Sequence, residues 1–406
     1  MKAIKCANIL TGKRVGERSL KNQVILMEKE RIVSIEPLDE FEKKSFAGEI
    51  IDYTDEEMYV IPGLIDTHLH LAHGGTDPSE KYDSDPLVSL RMANNAFINL
   101  KAGITTVRDL GAKNHIDVEF KKGVEKKLIP SPKVIICGKP IIMTGGHCYY
   151  MGQEADGPHE VAKAVREQLK ERVDFIKLMV TGGIMTPGNI YDLQLKKEEI
   201  ESAIETAHNA SRPVAAHAQA GRGIKLSIEA GVDTLEHGIY LSEEDVELMI
   251  KRGTYYVPTL VAIKEIAEEG LYVGLPEWVV SKLDTAVEAH MKSFQMAREA
   301  GLTIAAGTDY RPGTLQDELQ LMVNYGATNE EAFLAATSVA AKVIDRADTI
   351  GSIEPGKYAD ITIVKGDPLD NISNLSNVET VFVEGTIKWH AGNNTLENRQ
   401  AVSVSN

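Results

Sequence analysis

The 406-residue chain predicts an α/β fold: a (β/α)8 barrel carrying a small β-sandwich assembled from both chain ends. Three observations lead there. Short apolar runs rich in β-branched residues fill the first 60 positions and the last 55. Between them, eight similar runs alternate with amphipathic stretches, the pattern of repeated βα units. Polar residues able to do chemistry close several of those runs, as at the mouth of a barrel.

At the N-terminus, KAIKCANILTG, NQVILMEKE, RIVSIEPL, EIIDYTD and MYVIPG are brief and separated by charged turns, which favours strands over helices. Barrel strands are expected at 60–71, 104–111, 133–141, 175–183, 213–218, 234–238, 254–260 and 303–309. Stretches such as PHEVAKAVREQLKER and KKEEIESAIETAHNAS between them space apolar residues three or four apart, as helices do. An open doubly wound sheet is disfavoured, because no G-x-G-x-x-G follows the first of these strands. The closing runs ADITIVKG, ETVFVEG and TIKWHAG read like the opening ones. Neither set alone has enough strands to bury a face, and chain termini usually lie close together. The expected division is therefore a composite β domain of residues 1–60 and 352–406 around a barrel of 61–351.

Composition narrows the partners. Lys and Arg number 44 against 60 Asp and Glu, a net charge of −16, so no nucleic-acid partner is expected. Three cysteines, an odd number, argue against a disulfide framework. No apolar run approaches a membrane span and no secretory signal opens the chain, so no membrane partner and a cytoplasmic location are expected.

The chemistry-bearing residues come next. His68 and His70 in IDTHLHL are two apart on a strand and face the same side. His217 closes PVAAHA, His237 closes TLEHG and Asp309 closes TIAAGTD. Each alone has a structural explanation, as a core histidine or a helix-capping aspartate. Four histidines at the ends of three strands do not. Lys177 interrupts the apolar run FIKLMV, where a buried lysine is costly unless paired or chemically changed. It either snorkels to the rim or forms a carbamate with CO2, whose oxygens could bridge two divalent ions. The nitrogen and oxygen donors suit Zn. Cys148 follows GGH, but no oriented base makes it a nucleophile.

This order of ligands along the strands resembles the amidohydrolase superfamily, and the resemblance covers nearly the whole chain. The segment GSIEPGKYADITIV resembles that superfamily's return from barrel to β domain. The resemblance implies a TIM barrel with two divalent metal ions: His68, His70 and Asp309 on the first, His217 and His237 on the second, and carboxylated Lys177 bridging both. It implies attack by a metal-activated hydroxide, with Asp309 as general base and then acid. IIMTGGHCYYMG, and GIY after His237, resemble the branch holding Xaa-Pro dipeptidases (prolidases), carboxypeptidases acting on N-acyl amino acids, and fungal ochratoxin amidases. In that branch His147 and Tyr240 are expected to hold the substrate carbonyl or α-carboxylate. Arg222 and Arg311 each follow a ligand-bearing strand within five residues and are candidate carboxylate clamps.

The expected substrate is a small molecule with a carboxylate, a dipeptide of Xaa-Pro type or an N-acyl amino acid. The alternatives are a cyclic-amide hydrolase resembling imidazolonepropionase, a lactonase and a phosphotriesterase. Lys177 counts against the first, whose members hold one metal and lack the bridging lysine. A non-catalytic scaffold would have lost ligands. By resemblance a homo-oligomer is expected, although the sequence names no interface.

Overall fold

The computed structural model describes residues 1–14, 16, 18–74, 78–269 and 275–392; the expected β domain's last stretch, 393–406, lies outside them. Strand β1 (Lys2–Leu10) organises the N-terminal region because it hydrogen-bonds along both edges. One edge pairs antiparallel with β2 (Ser19–Glu28), which pairs with β3 (Arg31–Pro37). The other edge is shared: residues 2–6 run parallel to β4 (Glu49–Tyr53), and Asn8 and Ile9 run parallel to β5 (Met58–Pro62).

The central parallel strands follow. β6 (Leu64–Leu69), β7 (Ile104–Asp109) and β8 (Lys133–Ile136) form a three-stranded sheet. β9 (Ile141–Ile142), β10 (Gln153–Glu154), β11 (Ile176–Met179), β12 (Val214–Ala218), β13 (Thr234–His237) and β14 (Tyr255–Val257) form a second, in the order β10-β9-β11-β12-β13-β14. β6, β7, β11, β12 and β13 are buried at every position, as in sheets covered on both faces.

Two expected strands are interrupted. The run 133–141 breaks into β8 and β9, because Gly138 takes a left-handed φ of 73° and Pro140 has no N–H to donate. Across the break the Asp174 N–H still donates to Ile136 O at 2.8 Å. The run 303–309 is not a regular strand; its pairing reduces to one parallel bridge, Tyr256 to Ile304. Asp309, at φ 47°, ends any ladder there. The segment is nonetheless held on both sides. Ala305 N–H donates to Tyr256 O at 3.0 Å, Thr67 N–H to Ala306 O at 3.0 Å, and Asp309 N–H to His68 O at 2.7 Å. Gly307 permits this approach, since a Cβ there would lie 2.7 Å from His68 Cβ.

The chain then returns to the first sheet. β15 (Ile361–Lys365) pairs antiparallel with β5 and with β16 (Val378–Val383), and β16 pairs with β17 (Thr386–His390). Both chain ends thus share one eight-stranded sheet, in the order β17-β16-β15-β5-β1-β2-β3 with β4 beside β1. A small β-sandwich built from both chain ends was expected; the β5–β15 ladder joins the strands of both ends in one hydrogen-bonded sheet. Register shifts in the β2–β3, β15–β16 and β16–β17 pairs add local twist. Ile4, Ile9, Ile25, Ile361 and Phe382 meet in one apolar cluster. Among the described residues no helix is long and apolar enough to cross a membrane.

Candidate active site

Parallel register brings the polar strand ends together. Met179 pairs with His217, and Ala218 pairs with His237, so β11, β12 and β13 finish at one level. His68, His70, Lys177, His217, His237 and Asp309 all line a single cavity of about 250 Å³. The His68 and His70 Nε2 atoms each lie 3.5 Å from Asp309 Oδ1. The rings of His68 and His237 are 5.0 Å apart, and those of His217 and His237 4.6 Å.

Each ring is oriented from behind. His70 Nδ1–H donates to Gly111 O at 3.0 Å, and His68 Nδ1–H to Glu236 Oε2 at 2.7 Å. These bonds leave Nε2 with its lone pair toward the cavity. His237 Nδ1 meets Thr259 Oγ1 at 2.8 Å, and His217 Nε2–H donates to Gly182 O at 3.3 Å. Burial depresses the pKa of all four, with His70 brought down to about 3, so the imidazoles are neutral near pH 7. Asp309 is pushed up to about 7 by burial, against the pull of Lys177.

Glu236 is itself anchored. Arg108 donates to its Oε1 at 2.7 Å and Thr234 Oγ1–H does so at 2.5 Å; Arg108 also donates to Thr67 O. Asp66 ties the 303–309 segment to β6, accepting from His68 N–H at 3.1 Å and Thr308 Oγ1–H at 2.8 Å. Lys177 differs from all of these. It is 1% exposed, and among the described residues no hydrogen bond or ion pair engages its ammonium. Burial lowers its pKa, while the charges of Glu236 and Asp309 oppose that.

These groups fit a metal centre by their chemistry: neutral imidazoles, a carboxylate and an unpartnered buried amine. His68, His70 and Asp309 offer ligand atoms within 4.8 Å of one another.

The substrate candidates divide. His147 lines the cavity, its ring 4.4 Å from that of His217 and its Nδ1 2.6 Å from Thr186 Oγ1. Gly183 makes room for it, since a Cβ there would sit 2.3 Å from His147 Cε1. Tyr240, Arg222 and Arg311 are not among the lining residues. The Tyr240 hydroxyl bonds Thr285 at 2.8 Å, Arg311 pairs with Glu269 at 2.6 Å, and Arg222 is exposed at the start of the helix Arg222–Ala230. Each is occupied elsewhere or faces solvent. Cys148 does line the cavity, but burial pushes its thiol up to about 12, which leaves it protonated and a poor nucleophile.

Sequence reasoning passed over Arg108 and Glu236, although each interrupts an apolar run as Lys177 does. It also passed over His73, Glu80, Tyr150 and Tyr310 in the cavity wall. Glu236→Gln should lower the unfolding free energy by about 3 kcal/mol, because it leaves buried Arg108 without its counter-charge. Urea denaturation checks this, and a loss below about 0.5 kcal/mol, the range of an ordinary surface change, would contradict the anchoring role.

The model of the amidohydrolase family matches residues 59–388. Ochratoxinase from Aspergillus niger is 33% identical over 368 residues, covering 82% of this chain and 75% of that protein. A crystal structure of a Xaa-Pro dipeptidase with bound methionine in the active site is 29% identical, with a TM-score of 0.87 over 96% of this chain and 99% of that one. A prolidase complexed with N-methylphosphonate-L-proline is 27% identical, with a TM-score of 0.86 over 95% and 98%. These likenesses imply a TIM-barrel-type fold. The chain belongs to the amidohydrolase family, a metal-dependent family, and is a hydrolase acting on amide bonds.

Proposed function

We propose that this enzyme cleaves the amide bond of a dipeptide of Xaa-Pro type or of an N-acyl amino acid, using two divalent metal ions, Zn by donor chemistry, and a carbamate on Lys177. The observation that carries the reading is the buried, unpartnered Lys177 ammonium among four histidines and Asp309. As a neutral amine its Nζ would add to CO2, forming an N–C bond and releasing one proton. His68, His70 and Asp309 would hold one ion, His217 and His237 the other, and the carbamate oxygens both. Bound there, such ions polarise the amide carbonyl and bring the pKa of water to about 7.

The chain's own groups do the rest. The Asp309 carboxylate accepts the proton of the attacking water and returns it to the leaving nitrogen. His147, with Nδ1 engaged by Thr186, holds the substrate's carbonyl or carboxylate. Ile184, Met185, Ile263 and Ile266 give the cavity an apolar wall for a substrate side chain. The names of the ochratoxinase and prolidase relatives support the substrate class. The hydrogen bonds of residues 303–309 to β14 and β6 support reading the two parallel sheets as one closed eight-stranded barrel. The ladders joining both chain ends support a composite β domain of residues 1–60 and 352–406 beside a barrel of 61–351.

Purified enzyme should hydrolyse Xaa-Pro dipeptides or N-acyl amino acids and lose at least about 100-fold in kcat/KM when the substrate carboxylate is capped as an amide. Equal rates on capped and free substrates would overturn the carboxylate requirement. Metal affinity should fall with pH below about 7, because Asp309 must lose a proton to act as a ligand while the histidines are already neutral. The expected slope is at least about tenfold per pH unit. Titration calorimetry checks it, and an affinity constant from about pH 8 to pH 5.5 would contradict the assignment.

A further inference from the structure

The helix Asp85–Lys101 is apolar on two sides, and the described residues cover only one. Val88, Met92, Asn95, Ala96, Asn99 and Leu100 are buried against the core. On the other side Leu87, Leu90 and Phe97 are 46%, 70% and 38% exposed, with Asn94 and Lys101 also exposed. Positions 87, 90, 94, 97 and 101 alternate steps of three and four, which is the seam of a paired helix. Single exposed apolar residues are ordinary, but a stripe of this regularity marks an interaction surface.

We propose that the occupant of this stripe is the same stripe on a second copy of the chain, packed antiparallel about a two-fold axis near Asn94. The residue order is self-complementary in that arrangement. Leu90 lies beside Phe97 of the second copy, and Leu87 beside the aliphatic stem of Lys101 of the second copy. Asn94 meets its own counterpart. Its amide makes no hydrogen bond within the described chain, and it supplies both the donor and the acceptor that such a pair needs. A polar residue in the middle of an apolar seam fixes register and partner number.

Charge favours a second copy at this place. The chain carries 60 acidic residues and a net charge of −16, so two copies repel over most of their surfaces. Residues 86–108 contain no Asp or Glu. Antiparallel packing also brings Asp85, at the helix start, toward Lys101 at the helix end of the second copy, so that opposite charges and opposite helix ends meet.

Sedimentation of the full-length protein tests this, with far-UV circular dichroism confirming that each variant is folded. Wild type should sediment as a dimer or an even multiple. Leu90→Glu, at an exposed position, should raise the dissociation constant at least about 30-fold. Asn94→Cys should form an interchain disulfide with its own counterpart under mild oxidation. A monomeric wild type would overturn the proposal, as would an assembly indifferent to Leu90→Glu. An assembly weakened by Leu90→Glu in which Asn94→Cys stays uncoupled would overturn the antiparallel register.

Discussion

The buried ammonium of Lys177 is the constraint around which the centre is arranged. A charge taken out of water costs several kcal/mol, and among the described residues no hydrogen bond or ion pair offsets that here. The other buried charges are handled differently: Arg108 is paired to Glu236, and Asp66 accepts from Thr308 and His68. Among the described residues Lys177 thus differs from Arg108 and Asp66 in having no hydrogen-bond partner at the cavity, which is why the proposed carbamate is placed on it. The flanking carboxylates and depressed histidines follow from the same burial, which excludes water and keeps the imidazoles neutral.

The cavity-lining residues were legible in the sequence because strand ends in a parallel α/β fold converge, so polar residues that close apolar runs meet. His68, His70, His217, His237 and Asp309 carried that signature, Lys177 stood out instead by interrupting its run, and all six line one cavity. Arg108 and Glu236, like Lys177, interrupt apolar runs within their strands; Arg108 holds Glu236, and Glu236 holds the His68 ring from behind. Residues beyond the strand ends offered no such rule. Tyr240, Arg222 and Arg311 lie close to ligand strands in sequence, yet a turn or two of chain carries each to its own partner or to solvent.

The frame shows the same division. Hydrophobic periodicity located the buried strands, while their irregularities came from backbone chemistry: the break at Gly138 and Pro140, and the non-ladder run that ends at Asp309. That last irregularity is useful. A regular strand would hold Asp309 in extended geometry; its positive φ and the close approach at Gly307 bring its carboxylate to 3.5 Å from both His68 and His70. The terminal sheet joins β5, immediately before β6, to β15 through an antiparallel ladder, and so ties β6 to the C-terminal strands.

The most direct measurement is carbon NMR of protein equilibrated with 13C-bicarbonate and Zn, run together with elemental analysis on wild type and Lys177→Ala. The account predicts a carbamate resonance and about two metal ions per chain in the wild type, both lost in the variant. Full metal loading without a carbamate resonance, or metal content unchanged by Lys177→Ala, would contradict it.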